Sequence, residues 1–211
     1  MLRPVIPELL PLPLRLEGPR ILLRPFGRGD GPGLFASISE DRAHLDAWLP
    51  WVGAHENVLD SEVYARKAHA WWILRDDLPM AIETGLDGII GGTGLHRFDW
   101  AQRSFEIGYW LRKSAEGHGY VREAVMLLSA LAFDRLDATR VQIHCRTANE
   151  RSAAVPRRLG FGEERRTEVD DRLETDEPVP LSFFTLTREG FDRMPWANTA
   201  IAYVRRADSD G

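Results

Sequence analysis

The chain has a single cysteine in 211 residues. That excludes an intramolecular disulfide and any metal site built from a cysteine cluster. Cys145 lies in Val141-Gln142-Ile143-His144-Cys145, whose alternation predicts a strand, and it is expected as a buried core thiol. No apolar run approaches the ~20 residues of a membrane-spanning helix. The opening MLRPVIPELLPLPLRLEG is leucine-rich but broken by Pro4, Pro7, Pro11 and Pro13. It lacks the continuous apolar core and small-residue cleavage site of a signal peptide, so residues 1–19 are expected as an extended arm. Positive charge is not in excess either. A net charge of −5 argues against nucleic acid as a partner held through bulk charge. No repeat, low-complexity tract or convincing domain boundary is present. What remains is one domain's length with a sizeable core, and a cytoplasmic location is expected.

The most informative stretch is FEIGYWLRKSAEGHGYVREAV, residues 105–125. Phe105, Ile107, Tyr109 and Leu111 alternate with Glu106, Gly108 and Trp110, which predicts a half-buried strand. Gly117 and Gly119 then punctuate the chain, and Tyr120, Val121, Ala124, Val125, Leu127, Leu128 and Leu131 follow at helical spacing. A glycine turn that opens a helix bares backbone N–H groups which the helix itself leaves unpaired. With the helix dipole behind them, they form an anion site suited to phosphates. A Walker A loop is excluded, because Tyr120-Val121 stands where Lys-Ser/Thr is required. A dinucleotide fingerprint is excluded by Arg122, which stands where a third small residue is needed.

Elsewhere, residues 20–24 predict a first strand stopped by Pro25, and a helix begins near Asp30. A second amphipathic helix spans about 61 to 75. Strands near 80–84 and 89–96 flank Asp87-Gly88, a good hairpin turn. After the glycine helix, 140–146 predicts a strand, and Asn149 caps a helix that Gly160 ends, with Pro156 inside it. Two last strands are expected near 161–172 and 179–187, split by an acidic stretch at 174–177. Residues 191–211 are expected as a C-terminal tail.

This element order, with a glycine turn after the fourth strand, resembles the GNAT N-acetyltransferase superfamily over about residues 20 to 187. Its phosphate-loop pattern, Arg/Gln-x-x-Gly-x-Gly/Ala, falls on Glu116-Gly117-His118-Gly119-Tyr120-Val121. Only Gly119 fits strictly; Glu116 and Val121 depart, and a carboxylate at the loop mouth would repel a diphosphate. A second motif is more specific: Asn149-Glu150-Arg151-Ser152 through Arg158-Leu159-Gly160-Phe161 matches the family's Asn-x-x-Ser/Ala…Lys/Arg-Leu-Gly-Phe helix. Pro156 stands where many members carry a tyrosine acid, as in the branch that resembles RimJ and RimL, acetyltransferases of ribosomal-protein N-termini. Ile107-Gly108-Tyr109-Trp110-Leu111 and the segment from His44 to Trp51 also look like that branch.

The resemblance implies an α+β GNAT fold: a mixed, mostly antiparallel sheet of about seven strands, splayed between the fourth and fifth and flanked by about four helices. It implies a single domain over 20–190. It further implies acetyl-CoA, or another acyl-CoA, as donor and a primary amine as acceptor, either a small molecule or a peptide N-terminus. No metal, membrane or nucleic-acid partner is implied, and a homodimer is a family-level expectation. Cofactor contacts would fall to Ile107, Tyr109, Trp110, Leu111, Gly117, His118, Gly119, Tyr120, Val121 and Asn149. Ser152 would protonate the departing thiolate, against the plainer reading of a helix-surface or capping hydroxyl. Glu106 leads as base, with Glu83, His96 or water as alternatives. Trp48 and Trp51 would shape the acceptor pocket or fill the core, one in each role, together with Glu83 and His96 on neighbouring strands. Two other readings stay open: a non-catalytic CoA-binding module, and a succinyl-CoA-type donor met by Arg97 or Arg103.

Overall fold

The computed structural model describes residues 5–170 and 177–207. Among these residues eight strands form one sheet: β1 (Leu16–Glu17), β2 (Leu22–Pro25), β3 (Leu78–Thr84), β4 (Gly88–Asp99), β5 (Ser104–Leu111), β6 (Arg140–Arg146), β7 (Gly162–Val169) and β8 (Pro178–Thr187). Their order is β1-β2-β3-β4-β5-β6-β8-β7, and only β5–β6 is parallel. The helices are α1 (Gly31–Ser39), α2 (Arg42–Asp46), α3 (Val58–Leu74), α4 (Tyr120–Arg135), α5 (Glu150–Leu159), α6 (Arg188–Asp192) and α7 (Ala197–Arg206).

The mixed, mostly antiparallel sheet expected from the sequence is there, with one strand more than the seven counted. The extra strand, β1, comes from the segment read as an extended arm; Leu16 is fully buried and pairs with Leu23. The described residues form seven helices rather than about four. The short α2 lies in a stretch whose pattern is too brief to show a period. Helices α6 and α7 continue the packed structure to Arg206, past the domain end expected at 190, and bury Phe191, Ala197, Ala200 and Val204. Most of the acidic stretch at 174–177 lies outside the described residues. No described helix is long and apolar enough to cross a membrane.

Local chemistry fixes the helix ends. Asn57 and Asp60 form a reciprocal capping box on α3. Gly119, at φ +80°, opens α4, and Gly160, at φ +84°, closes α5. Those left-handed conformations suit a residue without a Cβ.

Side chains alternate across β5 and so divide the core in two. Phe105, Ile107 and Leu111 join a cluster with α4, α5 and α7. Trp110 faces the other way and packs with Leu34 and Ile38 of α1 and Ala65 and Ala68 of α3. Between β5 and β6 the pairing runs only through Ser104↔Arg140, Phe105↔Val141 and Glu106↔Gln142. Beyond Glu106 the two strands part, as the splay expected from the resemblance requires. Among the described residues, the β5 edge that faces β6 there has no strand partner. Both layers of helices border this opening.

Candidate active site

The glycine turn is held in shape from outside. Gly117 and Gly119 both take φ +80°, and they lead into the first turn of α4, whose N–H groups lack helical partners. Arg20 donates to the carbonyls of His118 at 2.7 Å and Gly119 at 3.4 Å. Its Nε donates to Glu123 at 2.9 Å, and Glu123 also accepts the backbone N–H groups of Arg20 and Ile21. The buried Glu123 thus ties the start of β2 to α4. A Cβ placed on Gly117 would meet nothing within 4 Å, so the turn is open on that side. Neither Arg20 nor Glu123 carries a motif that marks it in the sequence.

The parting of β5 and β6 opens a cleft of about 1190 Å³. Around it stand Glu106, Ile107, Tyr109, Trp110 and Leu111 of β5, the turn from Gly117 to Val121, and Asn149 and Ser152 at the start of α5. Trp48, Trp51 and His96 line it too. Of the site residues expected from the sequence, only Glu83 lies elsewhere. It sits on β3, bound to Arg24 at 2.5 Å, in an ion pair that also takes in Asp30. Neither tryptophan fills the core, because Leu45 and Val52 anchor their segment instead. Trp48 lies under the Arg146 guanidinium, 4.9 Å from the ring centre, and Trp51 packs edge-on against Trp110.

Ser152 and Tyr109 meet across the cleft. The Tyr109 hydroxyl donates to the Ser152 carbonyl at 2.8 Å, and Ser152 Oγ donates to the Tyr109 oxygen at 3.2 Å. Asn149 caps the helix by accepting the Ser152 N–H at 3.0 Å. Burial pushes the Tyr109 phenol well above its ordinary range, so it stays protonated.

On the other face of the sheet, Glu106 sits at the last paired position before the splay. Its carboxylate is engaged by His144 Nδ1 at 3.0 Å and Arg97 at 3.4 Å. His96, opposite Glu106 in register, binds Asp77 through Nδ1 at 2.7 Å. Behind them, Tyr64 packs between Phe26, His55 and Trp71. Burial, with the Asp77 charge, pushes its phenol up to about 12. Arg103, one source considered for a cation near the acyl group, is buried and donates to the Leu136 carbonyl.

Glu116, the residue that fits the phosphate-loop pattern least, is surrounded by basic side chains. Its carboxylate binds His44 Nε2 at 2.7 Å and Lys113 at 3.5 Å, and Arg151 pairs with it as well. The repulsion expected of it toward a diphosphate is therefore offset by the charges of Lys113 and Arg151. His44, His144 and Asp77 come from separate elements, and no spacing in the sequence links them to their partners.

A family model described as the acetyltransferase (GNAT) domain matches residues 20–162. YdaF of Bacillus subtilis (strain 168), which carries the name of a ribosomal N-acetyltransferase, is 36% identical over 138 residues, covering 64% of this chain and 74% of its own. Among solved structures, the RimL ribosomal L7/L12 alpha-N-protein acetyltransferase in complex with coenzyme A superposes with a TM-score of 0.74 at 19% identity. That match covers 83% of this chain and 99% of RimL. The microcin C7 self-immunity acetyltransferase MccE, solved with acetyl-CoA and AMP, gives a TM-score of 0.73 at 20% identity over 81% and 93% of the two chains. At such identities the last two likenesses speak for the fold.

Proposed function

The chain belongs to the GNAT acetyltransferase family, and from that premise we propose that it acetylates the α-amine of a protein N-terminus, with a ribosomal protein as acceptor. The enzyme is an N-acetyltransferase that draws its acetyl group from acetyl-CoA. The acceptor class is taken from the names of its relatives. A cytoplasmic enzyme, homodimeric as the family suggests and without nucleic-acid or membrane partners, fits this reading.

The observation that supports acetyl transfer is the Tyr109–Ser152 pair, which lines the same cleft as the glycine turn. A diphosphate suits the open turn, where Gly117 leaves room and the first N–H groups of α4 are unpaired. The unpaired edge of β5 from Ile107 to Leu111 suits the amide-bearing arm of the donor, and a backbone N–H there would receive the charge that develops on the thioester oxygen. Ser152 then gives its proton to the departing sulfur, its Oγ held in place by the Tyr109 hydroxyl, which burial keeps protonated. Trp48 and Trp51 wall the acceptor side.

A thiol-release assay tests this, with several acyl-CoAs set against N-terminal peptides and small amines. Release with acetyl-CoA and a peptide, depressed by Ser152→Ala with acetyl-CoA binding kept, is expected. Binding without turnover across the whole panel would instead make the chain a CoA-sensing module.

A further inference from the structure

Glycine inside a strand weakens it and marks a place where something else comes close. Gly94 and Gly108 face each other across β4 and β5, next to the splay. A Cβ on Gly94 would stand 2.6 Å from the Leu78 carbonyl and 2.9 Å from both Cε1 and Nε2 of His96. A Cβ on Gly108 would stand 3.0 Å from Cδ2 and 3.2 Å from Nε2 of the same ring, with nothing else within 4 Å. Among the described residues, the group that the bare backbone at Gly108 accommodates is therefore His96. The imidazole lies over β5 at the second residue past the last β6 pairing.

From this geometry we infer that His96 is the general base that deprotonates the acceptor amine, and that Asp77 is its positioning residue. The inference rests on the acetyl-transfer reading above. Asp77 accepts from Nδ1 at 2.7 Å, which leaves the Nε2 lone pair as the free basic atom, on the side of β5. Both residues line the cleft. Glu106, opposite in register, is the rival, but His144 and Arg97 already hold its carboxylate. The charged and titratable groups facing His96 are thus Asp77 from the β3 approach, Glu106 from β5 with its partners Arg97 and His144, and Tyr64 from α3 beyond Asp77.

A protein α-amine, with a pKa of about 8, arrives at neutral pH mostly as ammonium. One N–H proton passes to His96 Nε2 and on to water. The freed lone pair attacks the acyl carbon, the C–N bond forms and the C–S bond breaks. The second N–H proton ends on the sulfur by way of the Ser152 side. Amide, thiol and one released proton balance the reaction.

The test measures thiol release against pH for His96→Gln, Asp77→Asn and Glu106→Gln, with an N-terminal peptide as acceptor. A nitrogen-15 NMR spectrum of the imidazoles is taken on the same proteins without substrate. For His96→Gln, kcat/KM for the peptide should fall by about a hundred-fold or more at neutral pH. The acetyl-CoA KM should hold, and the deficit should shrink once the pH passes the amine's own pKa. Asp77→Asn should lose less activity and shift the His96 tautomer away from Nδ1–H. A rate within about threefold of wild type for His96→Gln, or a deficit equal at every pH, overturns the proposal, since 10²-fold is the least expected of a lost base. So does the same pH-dependent loss appearing in Glu106→Gln instead, or a wild-type ring protonated at Nε2. If the wild type releases no thiol with any amine, the acetyl-transfer reading fails on its own, and the tautomer still decides the placement of the dyad.

Discussion

The Tyr109 hydroxyl donates to the carbonyl of Ser152, the one carbonyl in α5 whose helical donor is missing because Pro156 stands four residues on. A proline that looks like a lost acid in the helix is matched by a phenol supplied from β5. The two residues act as one unit. Tyr109→Phe leaves that carbonyl without a partner and is expected to destabilise the fold by about 1–3 kcal/mol. Adding Pro156→Ala restores the N–H inside the helix and should return most of that stability in a thermal melt, while kcat stays low. Recovery of kcat together with stability would show that the phenol is only structural.

Arg20 shapes the glycine turn through the carbonyls of His118 and Gly119 while Glu123 holds the guanidinium. Arg20→Ala should raise the acetyl-CoA KM several-fold and leave kcat near wild type, because the pair lies away from Ser152. Initial-rate kinetics at saturating peptide separate the two parameters.

Glu116 links three elements: the loop itself, α2 through His44, and α5 through Arg151. Glu116→Gln removes a charge that its neighbours already offset, so acetyl-CoA affinity should change little. The loss should appear instead as faster amide hydrogen exchange over Arg42–Asp46, the helix that His44 pins. A large gain in affinity would mean that the carboxylate does oppose the diphosphate.

His55 is buried against Ser61, with Trp51 and Tyr64 edge-on around it. Desolvation, helped by Arg42, holds its pKa below the ordinary value of 6.5. The unfolded chain therefore takes up a proton first as pH falls through 6.5, and stability present above that pH is lost on acidification. Melts from pH 7.5 down to pH 5 should show a steeper decline for the wild type than for His55→Gln. Parallel curves would remove His55 as the cause.

Repeating local patterns made the fold readable in advance. The strand at Arg140–Arg146 and the helix from Asn149 to Gly160 follow directly from period-2 alternation, an Asn cap and a left-handed glycine. The short α2 and the two-residue β1 carry too few residues for a period, and tertiary contact decides them. In the cleft, motifs point to residues that the structure brings to one lining. Pairings made by proximity are not legible that way: Asp77 reaches His96 from a loop 19 residues away, and His44 reaches Glu116 across 72 residues. Glu83 shows the converse, since a carboxylate on a neighbouring strand was turned to serve Arg24.

The parting of β5 from β6 is where two proton reservoirs can meet. Ser152 and Tyr109 belong to the layer with α4 and α5, whereas His96 and Glu106 stand on the opposite face of the sheet. A continuous hydrogen-bonded sheet offers no water wire between layers, so traffic from one reservoir to the other must pass through the gap. A ligand lodged in that gap would stand between the two sets of groups.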